Sequence, residues 1–156
     1  MIKSLALPAL GAALILSTST GQAAAANAAW VGAWQIDEKE SHYPASFPPI
    51  KNHIFTVEKD DGTVLKYTDR MEINGKPFSS SFDGAWGKAS KTSDGHTITY
   101  KRVGDNGYED SWTDDAGTKG EDHCVFTTPA VMDCKGSTTP KGGQTLSYTE
   151  HWNKIQ

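Results

Sequence analysis

The chain has 156 residues, and its 15 Lys and Arg against 19 Asp and Glu give a formal net charge of −4. The basic residues are scattered singly, whereas nucleic acids and anionic membranes are bound by clustered Lys and Arg. The composition therefore argues against both kinds of partner.

The N-terminal residues predict a cleavable export signal. Lys3 precedes an apolar run, Leu5 to Leu16, that is too short to span a bilayer comfortably. Small residues with several A-x-A-like sites follow as far as Ala29. We expect a signal peptide over residues 1–26, cleaved between 23 and 29, and a mature domain over 27–156 that is periplasmic or secreted. No later apolar run predicts a membrane helix, so we expect a soluble product without membrane insertion.

Apolar residues alternate along the mature chain instead of recurring at helical spacing, which predicts β-strands. Turn signals separate them at fairly even intervals: Asp60-Asp61-Gly62, Asn74-Gly75, Asp83-Gly84, Asp94-Gly95, Gly104 to Gly107, Asp114 to Gly117 and Lys141-Gly142-Gly143. The predicted strands lie near 30–37, 51–58, 63–73, 76–82, 96–103, 107–114, 119–127, 130–136 and 144–154. The segment 37–49 contains three prolines and is expected to be a loop with room for one helical turn. This pattern is typical of a β-sandwich or an up-and-down barrel in one domain.

The turn residues predict the register of the first hairpins. A two-residue Asn74-Gly75 turn pairs Asp69 with Ser80 and brings the apolar residues of both arms to one face. A three-residue loop, Asp60-Asp61-Gly62, pairs Val57 with Leu65, Phe55 with Tyr67 and His53 with Asp69. The two turns together place His53, Asp69 and Ser80 side by side on an apolar face with Tyr67 and Met71.

Asp69 is a carboxylate among apolar neighbours, and carboxylates are rarely buried unless they are paired. A nucleophilic serine would need the histidine between itself and the carboxylate, but here Asp69 lies in the middle, which argues against Ser80 as a nucleophile. Two interpretations remain open: a hydrogen-bonded polar cluster in or beside the core, or a set of ligand contacts.

Three more charged residues occur on apolar faces in the second half of the chain. Arg102 follows Tyr100, Asp110 lies between Tyr108 and Trp112, and Glu150 follows Tyr148, each at the alternating spacing of a strand face. Either these groups lie near open strand ends, or the interior is a cavity lined by aromatic rings and a few polar groups.

The two cysteines, Cys124 and Cys134, are predicted to form a disulfide because export leads to an oxidising compartment. A four-residue turn at Thr127 to Ala130 would leave Cys124 opposite Asp133. A five-residue loop, or one bulge in either arm, instead brings the two cysteines opposite each other.

The first mature strand carries the pattern W-x-G-x-W, Trp30 to Trp34. With its D-G and N-G turns, the chain resembles small exported bacterial lipocalin-like proteins (calycin-type) over most of its mature length. The resemblance implies an all-β fold, a single antiparallel up-and-down barrel of about eight to nine strands, with Trp34 structural at one end and the other end open to an apolar ligand.

From this resemblance and the residues, we expect an exported protein that binds a small, apolar molecule, with no catalytic residue, no cofactor and no metal site. The candidate ligand-binding residues are His53, Tyr67, Asp69, Met71, Ser80, Tyr100, Arg102, Asp110, Tyr148 and Glu150. Two alternatives stay open. A lyase or isomerase would need Asp69, Asp110 or Glu150 in a cleft with a raised pKa. A protease inhibitor or envelope-interaction protein would have a filled barrel and a functional loop or terminus.

Overall fold

Ten β-strands form in residues 30–156, the part of the chain that the computed structural model describes; the predicted export signal lies outside these residues. The strands are β1 (Gly32–Ile36), β2 (Ile50–Asp60), β3 (Val64–Ile73), β4 (Lys76–Ala85), β5 (Ser90–Lys91), β6 (Thr97–Val103), β7 (Gly107–Thr113), β8 (Lys119–Thr128), β9 (Val131–Thr139) and β10 (Leu146–Lys154). Nine of them correspond to predicted strands, and the two-residue β5 is the addition. The described residues contain no helix; segment 37–49 has only a turn in which the Ser41 amide donates to the Asp37 carbonyl (2.9 Å).

The strands make one antiparallel sheet in the order β4-β3-β2-β1-β10-β9-β8-β7-β6-β5. Neighbours in sequence are neighbours in the sheet, and β1 also pairs with β10, which brings the two ends of the chain together. The two edges of the sheet also meet. The Ser93 amide, which follows β5, donates to the Ser81 carbonyl of β4 (2.9 Å), and the Gly87 amide, which follows β4, donates to the Tyr100 carbonyl of β6 (2.8 Å). The predicted up-and-down barrel is therefore confirmed as a nearly closed barrel of ten strands.

The predicted hairpin at Asn74-Gly75 is confirmed. Both turn residues have positive φ, 54° and 71°, as a type I′ turn requires. Asp69 pairs with Ser80, as the turn predicts.

The predicted pairing of β2 with β3 is wrong by two residues. Phe55 lies opposite Asp69 and Val57 opposite Tyr67, because the loop is Asp61 to Thr63 and the register also shifts between Val57 and Lys59. A two-residue shift leaves every side chain on its predicted face. The register shifts a second time between Lys51 and Ile54. This irregular stretch contains His53 and Asn52, and the φ of Asn52 is 52°.

The predicted turn at Asp83-Gly84 is also wrong, because both residues lie inside β4. The ring of Phe82 packs against Gly84, where a Cβ atom would overlap it. This glycine therefore permits a close approach inside a strand rather than a change of chain direction. The chain turns after Ala85, where the Lys88 amide donates to the Ala85 carbonyl (3.2 Å).

One half of the barrel is filled by aromatic side chains around Trp30, which is fully buried. Its ring stacks on Tyr108 at 4.0 Å between centroids. Four more rings lie within 6.3 Å of it: Phe55, Trp86, Tyr100 and Phe126. Trp34 is also fully buried, donates its indole N–H to the Trp30 carbonyl (2.8 Å) and packs on Phe126. These residues close the end of the barrel at which β1 begins.

The predicted disulfide is confirmed: Cys124 and Cys134 are bonded and lie opposite each other on β8 and β9. A bulge between Phe126 and Thr128 supplies the extra residue that this register needs. Both cysteines face the interior, at 1% and 3% exposure. Because disulfides persist in oxidising compartments, the bond indicates a location outside the cytoplasm. The described residues include no helix that is long and apolar enough to cross a membrane.

Candidate functional site

The half of the barrel opposite Trp30 contains a cavity of about 410 Å³. Its floor is formed by Tyr67 and Tyr100, and the Tyr100 hydroxyl donates to the Tyr67 hydroxyl (2.9 Å). The walls are apolar and aromatic side chains from seven strands, among them Phe55, Met71, Phe78, Ile98, Tyr108, Trp112, Met132, Tyr148 and Trp152. This volume lies within the range of small-molecule sites in proteins.

The loop between β1 and β2 covers part of the mouth of this cavity. Tyr43 and Phe47 line it, and both rings pack on Tyr148, at 5.6 and 5.5 Å between centroids. His42 fixes the loop to β10 by exchanging backbone hydrogen bonds with Thr149 (2.8 and 3.0 Å). We call residues 37–49 the cover segment. Its aromatic side chains complete the wall that the strands leave open.

The structure brings together nine of the ten candidate residues around the cavity: His53, Tyr67, Asp69, Met71, Ser80, Tyr100, Asp110, Tyr148 and Glu150. Arg102 is the exception, because β6 runs towards the closed end and Arg102 lies near its last residue. There its guanidinium pairs with Asp60 and lies 4.2 Å from the centre of the Trp86 ring. Arg102 therefore belongs to the packing of the closed end.

His53 and Asp69 form a pair in the cavity wall, with His53 Nε2 2.7 Å from Asp69 Oδ1. Burial opposes the charged imidazole, but the charge and the hydrogen bond of Asp69 outweigh it, so the pKa of His53 lies above its ordinary value. The other ring nitrogen, Nδ1, is buried and has no hydrogen-bond partner among the described residues. Asp69 thus has its partner, His53, within the cavity wall.

Ser80 lies beside Asp69 in the register, yet its hydroxyl donates to Asp94 Oδ1 (2.6 Å) across the seam between β4 and β5. Asp94 also pairs with His96, at 2.6 Å from Oδ2 to Nδ1. Burial alone would raise the pKa of Asp94, but the hydrogen bonds from Ser80, Thr92 and His96 lower it overall. The predicted row of three residues is in fact two separate pairs, His53–Asp69 and His96–Asp94, with Ser80 attached to the second.

Three further carboxylates converge on the opposite wall: Asp110 from β7, Asp122 from β8 and Glu150 from β10. Glu150 accepts from the Tyr43 hydroxyl (2.6 Å) and from Trp152 Nε1 (3.1 Å). Asp122 Oδ1 is buried without a hydrogen-bond partner, and Asp110 is 9% exposed with no hydrogen-bond donor among the described residues. We call Asp110, Asp122 and Glu150 the acidic wall.

Mutual repulsion and burial change the acidity of this wall. Burial, followed by the charges of Asp122 and Glu150, raises the pKa of Asp110 well above its ordinary value. Burial and the charge of Glu150 raise the pKa of Asp122 to about 7, although a hydrogen bond from the Tyr148 hydroxyl lowers it in part. The two carboxyls therefore bind protons much more readily than ordinary aspartates do.

Several residues of the cavity were not among the candidates predicted from the sequence, including Asp122, Asp94 and the cover-segment residues Tyr43 and Phe47. Asp122 could have been found, because it shares the alternation of Cys124 and Phe126 on β8. Asp94 follows a strand of two residues, which is too short to show a period, and segment 37–49 has no period at all. Gly136 on β9 also contributes: Asp122 and the Tyr148 ring pack so closely against it that a Cβ atom would overlap both.

A second depression, of about 730 Å³, lies on the outer face of strands β6 to β10. Asp110, Asp122 and Tyr148 border this depression too, but its lining consists mainly of the outward-facing polar side chains of these strands, including Thr99, Lys101, Glu109, Glu121, His123, Lys135, Ser137 and Thr149. Such residues alternate with the interior ones on any barrel of this kind. The cavity inside the barrel, with its aromatic walls, is the stronger candidate site.

Within residues 30–156, no group of three or more His, Cys, Asp or Glu side chains is arranged to hold a metal ion. No family model matches the chain, and no curated protein matches it closely enough to show a relationship. The proposed function therefore depends on the fold and on the cavity.

Proposed function

We propose that this is an exported, lipocalin-like protein that binds a small, largely apolar molecule in the open half of its barrel. The observation that carries the proposal is the cavity of about 410 Å³, which has aromatic walls and a few convergent polar groups. The signal-like residues 1–26 and the disulfide support export.

A neutral, solvent-sensitive dye such as Prodan tests this proposal with protein isolated after export. We expect its fluorescence to rise on binding and the signal to saturate. Met71→Trp should block binding, because Met71 lines the cavity. Arg70→Trp is the matched control, because Arg70 is the exposed neighbour on the same strand. Absence of binding, or equal binding by both variants, would contradict the proposal.

A second candidate function, acid–base catalysis, is favoured by one observation: Asp110 lies in the cavity and its pKa is raised. A general acid needs this combination of burial and retained proton. Mass spectrometry of the molecule that co-purifies with the protein distinguishes the two functions. A binding protein returns the molecule unchanged after prolonged incubation, whereas an enzyme converts it and Asp110→Asn abolishes the conversion.

An inhibitor or interaction protein would have a filled barrel, whereas the half of this barrel opposite Trp30 contains the cavity of about 410 Å³. This alternative therefore has less support than ligand binding.

A further inference from the structure

The charges around the cavity are unbalanced. Five of its described lining residues are Asp or Glu, two are His, and none is Lys or Arg. Each histidine is already paired, His53 with Asp69 and His96 with Asp94. The acidic wall therefore has no cationic partner among the described residues that line the cavity.

Hydrogen-bond donors are also missing where a ligand would meet this wall. Glu150 accepts from Tyr43 and Trp152, and the Asp122 carboxyl interacts with the Tyr148 hydroxyl. Among the described residues, however, Asp122 Oδ1 and the nine-tenths-buried Asp110 carboxylate have no donor. Burying a carboxylate without a hydrogen-bond donor destabilises the folded protein. A group with N–H donors and a positive charge would supply both the missing hydrogen bonds and the missing counter-charge.

The aromatic walls suit the same kind of group. Tyr43, Tyr108, Tyr148 and Trp152 line the cavity together with the acidic wall. Faces of aromatic rings attract organic cations, and this attraction is stronger where water is excluded.

We propose that the ligand is a protonated primary amine on an apolar or aromatic body, with its ammonium group held by Asp110 and Asp122. This inference rests on the proposed ligand-binding function and specifies its chemical class. The N–H donors of the ammonium bind the unpartnered carboxylate oxygens, and the body packs on the aromatic walls. Glu150, already held by Tyr43 and Trp152, contributes charge without changing partners.

Three ligands of nearly equal size and different charge test this inference: 2-phenylethylamine, 2-phenylethanol and 3-phenylpropionate. Calorimetric titration of the native protein at pH 8 should give an affinity for the amine about tenfold or more above that for the alcohol, as expected for charge-assisted hydrogen bonds. The carboxylate should bind most weakly. A phenylpropyl trimethylammonium ion, which has no N–H donor, should bind less tightly than the primary amine.

The double variant Asp110→Asn/Asp122→Asn keeps the side-chain shapes and removes both charges. We expect this variant to lose its preference for the amine and to keep its affinity for the alcohol. Glu109→Gln is the matched control, since Glu109 is the exposed neighbour of Asp110 on β7, and it should keep the full preference.

Equal or tighter binding of the alcohol or the propionate by the native protein would overturn the inference, as would an amine preference that survives in the double variant. If Prodan binds in the cavity and the protein does not prefer the amine to the alcohol, only the amine inference fails. If neither the dye nor the amine binds, ligand binding and the amine inference fail together.

Discussion

At the residue scale, Asp69 shows how a carboxylate is accommodated on an apolar face. Its side chain is 19% exposed and pairs with that of His53, which is 10% exposed. The pair lies in the cavity wall, so it is both a satisfied polar pair and a part of the candidate site. The two interpretations of Asp69 that the sequence left open are therefore not exclusive.

We expect Asp69→Ala to lower the free energy of unfolding by about 1 to 3 kcal/mol, because both ring nitrogens of the buried His53 would then lack a partner. Because the folded pKa of His53 is raised, the stabilisation from its charged form is complete below about pH 6.5 and is lost as the pH rises through the folded pKa. The cost should therefore be larger at pH 6 than at pH 9. Urea denaturation at both values measures it, with Arg70→Ala as the control; a cost independent of pH would contradict the pairing.

Asp110 should affect stability in the opposite way from Asp69, because its negative charge destabilises the folded protein when no ligand is bound. The groups that face it are Asp122 on β8, Glu150 on β10, and the tyrosines Tyr67, Tyr100, Tyr108 and Tyr148. Its folded pKa is raised, so the stabilisation from the protonated carboxyl is complete below about pH 3.9 and is lost as the pH rises through the folded pKa.

Asp110→Asn cannot ionise, and we expect it to be more stable than the native protein at pH 9 by about 1 kcal/mol or more. At pH 4 the two proteins should have nearly equal stability. Thermal melts across this range, with Glu109→Gln as the control, measure the difference. A variant less stable than the native protein at pH 9 would show that Asp110 has a stabilising partner.

At the scale of elements, two bulges correct what simple hairpin counting misses. The irregularity around Asn52 lets His53 reach Asp69, although Asp69 lies opposite Phe55 in the ladder. The bulge between Phe126 and Thr128 aligns Cys124 with Cys134. Each bulge thus places side chains of the interior wall.

The disulfide joins β8 to β9 beside the acidic wall, and Cys124 itself lines the cavity. We expect the double variant Cys124→Ala/Cys134→Ala to lose about 2 to 3 kcal/mol of unfolding free energy, as a short closed loop predicts. Denaturation of both proteins measures this loss. Alkylation followed by mass spectrometry of the unreduced exported protein should detect no free thiol, and two alkylated cysteines would contradict the bond.

At the scale of the whole molecule, the barrel is divided into a filled half and an open half. Trp30 belongs to the filled half and contacts five aromatic rings there. The cavity begins beyond Tyr67 and Tyr100, with residues that are more often polar. Stability and ligand binding should therefore depend on different residues.

Trp30→Ala tests this division. We expect a loss of about 3 to 5 kcal/mol of unfolding free energy, because a fully buried ring leaves a cavity in the closed half. Where the variant is still folded, its affinity for Prodan should change less than that of Met71→Trp. A Trp30→Ala protein of native stability would show that Trp30 does not fill the barrel. The predicted cleavage between residues 23 and 29 keeps Trp30 in the mature chain.

Alternating apolar residues and turn signals were enough to predict nine of the strands and the face on which each candidate residue lies, and they left a sandwich or a barrel open. The resemblance carried by Trp30 to Trp34 favoured the barrel. The alternation and the turns are local features, since a strand repeats every two residues and an Asn-Gly turn sets its own register. Nine of the ten candidate residues selected from this pattern lie around the cavity, because interior positions on neighbouring strands meet inside a barrel. The pattern failed for Arg102, whose height along the barrel depends on the direction of β6.

The sequence predicted His53 beside Asp69, and the two do meet, although through a bulge and not as ladder partners. Only the tertiary structure decided the other polar partners. Ser80 meets Asp94 across the seam, and the cover segment brings Tyr43 to Glu150 over 107 positions of the chain. The acidic wall combines Asp110 and Asp122, which are paired in the β7–β8 hairpin, with Glu150 from β10, which lies on the other side of β9. Whether a buried charge is neutralised depends on distances of a few ångströms between such strands, and a one-dimensional pattern carries no information about those distances.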